Sequence, residues 1–254
     1  MNKKFTILTA NYNAEKYLEA WAESIFAQKY RPIEVVFVED KSTDKSFKTM
    51  KKISSKFLEK GIELKLIQSP KKLFCGSAYN LAHSHATGSY CGVLDSDDML
   101  EPFAVEFIVD IYEKNPEVAW IYTQYNKYNK SMNRIIKRGF CSCPEKGKSI
   151  LTIEKRDVNI YGHWRTFSDS IINPENLFGK GLKCCVDKHL GFRLEEEGVG
   201  MFVDEVCYKY RYRSRKEGSI VFSCPLKKTK SEVMNRAKKR RKGKKVYSIL
   251  KYKG

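Results

Sequence analysis

The chain has 254 residues, 42% hydrophobic and 31% charged, with a formal charge of +18. That length is enough for one large domain with a substantial core, and the ordinary apolar content excludes a disordered chain. No apolar run approaches the roughly 20 residues needed to cross a bilayer, and the opening MNKKFTILTANYN lacks a signal-peptide core and cleavage site; a cytoplasmic protein is expected, with peripheral contact to an anionic membrane as the alternative.

Taken in chain order, the pattern alternates. Phe5–Thr9 reads as a buried strand, and Ala14–Gln28 as a helix with Tyr17, Leu18, Trp21, Ile25 and Phe26 on one face. Ile33–Val38 is a β-branched strand ending in Glu39-Asp40. Ser42-Thr43-Asp44 marks the start of a helix running to about Glu59, and Gly61 ends it. Ile62–Gln68 is a third strand, Phe74–Thr87 a third helix and Ser89–Leu94 a fourth strand. A helix from Pro102 to about Asn115 and a strand at Val118–Thr123 follow. Such alternation predicts an α/β fold, an open and mostly parallel sheet with helices on both faces. The second half is less regular. Tyr125–Phe140 suggests a hairpin, Trp164–Ile172 and Lys183–Glu197 suggest helices, and Phe202–Arg213 reads as extended.

The expected organisation is a domain over 1–226, divided into halves at 1–124 and 125–226, followed by a basic tail at 227–254. That tail holds thirteen Lys/Arg and one acid, Glu232, and so carries +12 of the +18. Its candidate helix, Ser231–Lys245, has few apolar residues. A basic tail engages something anionic or is a solvated arm. The eight cysteines, Cys75, Cys91, Cys141, Cys143, Cys184, Cys185, Cys207 and Cys224, are expected as reduced thiols, and their spacing does not match a zinc site.

Ligands of open α/β sheets bind at the carboxyl ends of strands. Three polar clusters fall there: Asn11-Tyr12-Asn13, Glu39-Asp40, and Asp95-Ser96-Asp97-Asp98. Three carboxylates in four residues repel one another unless a cation joins them, which suggests Mg²⁺ or Mn²⁺ with a substrate's phosphates. The plainer alternative is a set of acids near a helix N-terminus.

Four segments in order carry a resemblance: Thr9–Asn13 (TANYN), Val38–Asp44 (VEDKSTD), Ala78–Gly88 (AYNLA…ATG) and Leu94–Asp98 (LDSDD). Together they resemble the inverting glycosyltransferases of family 2, with the GT-A fold, over roughly residues 5–215. The resemblance implies a nucleotide-diphosphate sugar donor, expected to be a UDP-sugar, held by Thr9, Asn11, Glu39, Asp40, Asn80, Asp95, Ser96 and Arg213. It implies a Mn²⁺ or Mg²⁺ ion on Asp97 and Asp98. It also implies a general base in the second half, for which Asp187 is the first candidate and Asp169 and Glu195 the fallbacks. Glu39 stands where the family commonly has Asp, and Tyr79 where it commonly has Arg, so Lys71, Lys72 or Arg213 is expected to compensate. Arg213, in a segment YRYR with Ser219 following, stands at a usual His position; it is either an anion clamp or an edge-strand charge.

His163, Trp164 and Arg165 are the candidate acceptor-side cluster, since aromatic faces stack on sugars or bases and Arg holds phosphate; Trp164 has a core position as its alternative. His83 and His85 are read as structural. The expected acceptor is a polyanion such as DNA carrying a hydroxymethylated base, contacted by the basic tail. A lipid-linked or surface glycan, a protein, and a non-catalytic nucleic-acid-binding role are the alternatives.

Overall fold

The computed structural model describes residues 2–145, 148–153, 161–172, 175–213, 224–244 and 246–253. One curled sheet organises the molecule, in the order β10 (Ile249–Lys251), β9 (Val199–Arg211), β6 (Val118–Tyr128), β8 (Arg165–Ser168), β4 (Tyr90–Val93), β1 (Phe5–Asn11), β2 (Ile33–Glu39) and β3 (Ile62–Gln68). Its first part is built from β1, β2, β3 and β4. These four strands run parallel, with β1 between β2 and β4. Every residue of β2 is buried because helices cover both faces, which is why it reads as a continuous apolar run rather than an alternating one.

The helices between the strands bury narrow stripes. In α1 (Leu18–Phe26), Leu18, Trp21, Ala22 and Ile25 face the core, following a short 3₁₀ turn at Glu15–Tyr17. In α2 (Ser46–Glu59) the stripe is Ser46, Met50, Ile53 and Phe57, and the Asp44 carboxylate accepts the Ser46 amide at 2.9 Å. Then come α3 (Phe74–Ser84), the two-residue strand β5 (Met99–Leu100) and α4 (Ala104–Lys114).

The second half completes the same sheet. β6 (Val118–Tyr128) forms a hairpin with β7 (Ile135–Arg138), as the sequence suggested. A short helix, α5 (Ile150–Ile153), leads towards β8 (Arg165–Ser168). Trp164–Ile172 was expected to be helical. Instead β8 lies antiparallel between β4 and β6 with all four residues buried, because sheet neighbours on both sides satisfy its backbone. α6 (Val186–Glu197) and β9 (Val199–Arg211) match the expected helix and extended segment, and β9 is parallel to β6. β6 runs through residues 124 and 125, so the sheet is continuous across the expected division between halves.

The basic segment also differs from a free arm. α7 (Leu226–Arg241) packs on α6 with Val233 and Ala237 fully buried, and β10 (Ile249–Lys251) joins β9 as a parallel edge strand. Arg241 pairs with Glu195 at 2.9 Å and Arg240 with Glu196 at 2.7 Å. Contrary to the reduced-thiol expectation, Cys184 and Cys224 form a disulfide. The packing of α7 on α6 brings together two cysteines 40 residues apart in sequence. Among the described residues, no helix is long and apolar enough to cross a membrane.

Candidate active site

Strand direction decides which side chains meet. β1, β2, β4, β6 and β9 share one direction and β8 opposes them. The carboxyl ends of β1, β2, β4 and β9 therefore share an edge with the beginning of β8. Asn11, Glu39, Asp95–Asp98, Arg211 and His163–Arg165 all fall at that edge. Asp169, after β8, falls at the opposite one.

The nucleoside-side candidates are mostly organisers. Thr9 is fully buried and its hydroxyl donates to the Leu94 carbonyl at 2.8 Å, tying β1 to the acid loop. Asn11 Nδ2 donates to Glu39 Oε2 at 2.5 Å, while Glu39 Oε1 accepts the Ser42 amide at 2.6 Å. The longer Glu in place of Asp thus reaches both strand β1 and the following turn. Asp40 accepts the Leu73 and Phe74 amides at 2.6 and 2.9 Å and pairs with Lys72 at 3.1 Å, so it caps α3. Lys72 also lies over the Tyr12 ring. Asn80 accepts the Phe178 amide at 3.0 Å and binds Asn176, anchoring the 176–178 loop to α3. Ser96 is buried.

The acid loop is resolved residue by residue. Asp95 accepts the Tyr79 hydroxyl at 2.5 Å. Burial, and then the charge of Asp95, raise the Tyr79 pKa well above the usual phenol value, so Tyr79 stays a donor. Asp97 pairs with Arg213 at 2.7 Å, although burial still lifts its carboxyl above the ordinary range. Asp98 is 1% exposed and accepts the Tyr208 hydroxyl at 2.8 Å and the Arg211 amide at 2.7 Å. Burial first, then the charges of Asp97 and Asp95, push its carboxyl pKa well up. Asp97 and Asp98 were expected together as the metal pair. The ion pair with Arg213 draws Asp97 aside, and it is Asp95, Asp98 and His163 that bring one ligand-type atom each within 4.8 Å of one another. Carboxylate oxygens fit Mg²⁺ or Mn²⁺. His163 fits less well, because its Nδ1 already meets Arg165 Nη2 at 3.2 Å.

On the acceptor side the three predicted residues separate. Trp164 is core: it is fully buried against Phe5, and a Cβ on Gly92 of β4 would lie 2.5 Å from its ring. His163 is half-buried and stacks between Tyr208 and Tyr210, with ring centroids at 4.5 and 5.3 Å and small interplanar angles. Burial, then the charge of Arg165, hold its pKa well below the usual value. Arg165 is buried, with Nη1 4.0 Å from Asp187 Oδ2.

Asp187 lies in the first turn of α6, partly exposed, beside Arg165. Arg165 links it to the acid loop: its Nη2 lies 3.2 Å from His163, whose ring nitrogen lies within 4.8 Å of Asp95 and Asp98 oxygens. The fallback residues lie elsewhere. Eight residues along the helix, Glu195 is about 12 Å away; it accepts the Ile150 amide and pairs with Arg241. Asp169 bonds His83 at 2.7 Å at the far edge. Sequence reasoning missed Tyr208, and it took Tyr210 and Arg211 only as part of the YRYR segment, with no role of their own. The period-two pattern of β9 carries the signal, since it puts the tyrosines on one face and Arg211 and Arg213 on the other, where both stack over Tyr17. Ser219 lies outside the described residues.

Residues 6–171 match the glycosyl transferase family 2 profile. The chain belongs to that family. It is 30% identical to a chondroitin synthase from Escherichia coli over 78% of this chain and 27% of that protein. It is 27% identical to the glycosyltransferase GlyG of Streptococcus pneumoniae over 87% of this chain and 74% of GlyG. The family 2 chain thus spans about a quarter of the length of the chondroitin synthase. In fold it is similar to S. aureus TarS 1–349 in complex with UDP-GlcNAc, with a TM-score of 0.71 at 20% identity over 92% of this chain and 65% of that one. A mannosyltransferase from Pyrobaculum calidifontis, in complex with GDP-Man and Mn²⁺, superposes with a TM-score of 0.58 at 17% identity, covering 86% of this chain and 59% of that one. The GT-A glycosyltransferase fold expected from the four sequence segments is the fold observed.

Proposed function

We propose that this family 2 chain transfers a sugar, with inversion, from a UDP-sugar to a hydroxyl of a glycan acceptor. The observation that carries the reading is the run of contacts from Asp95 and Asp98 through His163 and Arg165 to the partly exposed Asp187 carboxylate. In this reading Asp187 takes the proton of the acceptor hydroxyl as its oxygen attacks the anomeric carbon, and the nucleoside diphosphate leaves on the other side. Asp95, fixed by Tyr79, contacts the sugar or ribose. The loops held by Glu39, Asp40 and Asn80 frame the nucleoside, and Arg213, carried by Asp97, faces the diphosphate.

Asp95 and Asp98 are the residues that would hold Mn²⁺ or Mg²⁺, and such an ion, when bound, neutralises charge on the departing diphosphate. Support for a UDP donor comes from the TarS complex, and support for a glycan acceptor from the relative named as a chondroitin synthase. A DNA acceptor rested on the basic tail; the ion pairs of Arg240 and Arg241 with Glu196 and Glu195 turn part of that charge inward, which favours the glycan.

Incubation with UDP-GlcNAc, UDP-glucose and UDP-glucuronate, Mn²⁺, and either oligosaccharides or hydroxymethylated DNA tests this. UDP release that rises with an oligosaccharide, and falls about 1000-fold in Asp187→Asn, is the expected result, loss of a general base and correct proton placement being worth 10²–10⁴ in rate. Release that rises only with DNA moves the acceptor to nucleic acid.

A further inference from the structure

Arg165 is 4% exposed, and its Nε and Nη1 atoms are buried without a hydrogen-bond partner. Burying polar nitrogens unpaired is unfavourable, and an apolar side chain of the same length would fill the site without that penalty. Packing alone therefore does not call for a cation here. Two groups face it from the crevice: His163 Nδ1, 3.2 Å from Nη2, and Asp187 Oδ2, 4.0 Å from Nη1.

A guanidinium donates and never accepts. His163 Nδ1 must then be the acceptor, and the imidazole proton must sit on Nε2. Stacking between Tyr208 and Tyr210 fixes the ring plane, on the side where a ring nitrogen lies within 4.8 Å of Asp95 and Asp98 oxygens. The same cation, in a site of low dielectric, attracts the Asp187 carboxylate more strongly than it would in water. One buried charge thus touches both sides of the crevice.

We propose that Arg165 is a positioning residue for the transfer reaction, holding His163 as the Nε2–H tautomer and Asp187 directed into the crevice. His163 then offers a hydrogen-bond donor to the donor sugar or its leaving diphosphate. This rests on the transferase reading given above, and one of its readouts does not.

The test uses the full chain with Arg165→Met and Arg165→Lys. Histidine-¹⁵N NMR of the parent should show His163 protonated at Nε2, and Arg165→Met should show mixed tautomers. Folded Arg165→Met, judged by its melting temperature, should lose about 100-fold in kcat, the cost of misplacing a reacting group by about 1 Å, with the donor KM changed less than about threefold. Arg165→Lys should keep the tautomer and part of the rate even if the Met variant fails to fold. Added guanidinium should restore rate to Arg165→Ala. Unchanged kcat in Arg165→Met, or a His163 tautomer indifferent to the substitution, overturns the proposal. If the parent transfers no sugar, the transferase reading fails while the tautomer still decides the role of Arg165.

Discussion

Among single residues, the acid loop shows how repulsion is relieved before any substrate arrives. Each carboxylate has its own partner: Tyr79 on Asp95, Arg213 on Asp97, and Tyr208 with the Arg211 amide on Asp98. Chelation therefore has a clear readout. Removing divalent ions with EDTA should lower transfer at least tenfold, with recovery on Mn²⁺, because carboxylate oxygens bind it well. Transfer that persists in EDTA would assign charge neutralisation to Arg213 instead. A second residue governs pH dependence of stability. His189 is buried on α6 with its Nδ1 unpartnered, and burial, then the charge of Arg240, lower its pKa from 6.5 to about 4. Between those values the unfolded chain binds more protons, so the stabilisation is complete above about pH 6.5 and is lost as pH falls towards 4. His189→Gln should flatten that loss, by up to about 3 kcal/mol, in denaturant titrations at pH 4.5 and 7.

At the level of elements, most helices and strands follow from periodicity, and the exceptions have identifiable causes. β8 is short, and only its two sheet neighbours distinguish it from a helical turn. Trp164 looks like a sugar-stacking platform in sequence, yet Gly92 leaves the space on β4 that its ring fills. Asp187 and Glu195 lie on the same helix, and the direction of α6 separates them, delivering one beside Arg165 and the other to Arg241. The Cys184–Cys224 disulfide fastens the start of α6, two residues before Val186, to the start of α7. Cys224→Ser should lower unfolding free energy by about 4 kcal/mol, as expected for closing a loop of this length, measured by urea titration without reductant. An unchanged midpoint would mean that the bond does not form in solution.

For the molecule as a whole, one sheet runs through both parts of the chain, and its far edge is supplied by the last described strand. Removing residues 226–254 exposes the α6 and β9 surfaces that α7 and β10 cover, so the truncated chain should aggregate or melt well below the parent in a thermal scan. A truncated protein that stays folded and loses only nucleic-acid affinity would restore the view of this segment as an arm. The sequence by itself determined the parallel first part of the sheet, the family and the acid loop, because those features are written in local periodicity and contiguous motifs. Only the tertiary structure decided which acid faces the crevice, that Asp97 belongs to Arg213, and that the basic segment docks. Those outcomes depend on strand direction and on contacts between residues far apart in the chain, to which local patterning is blind.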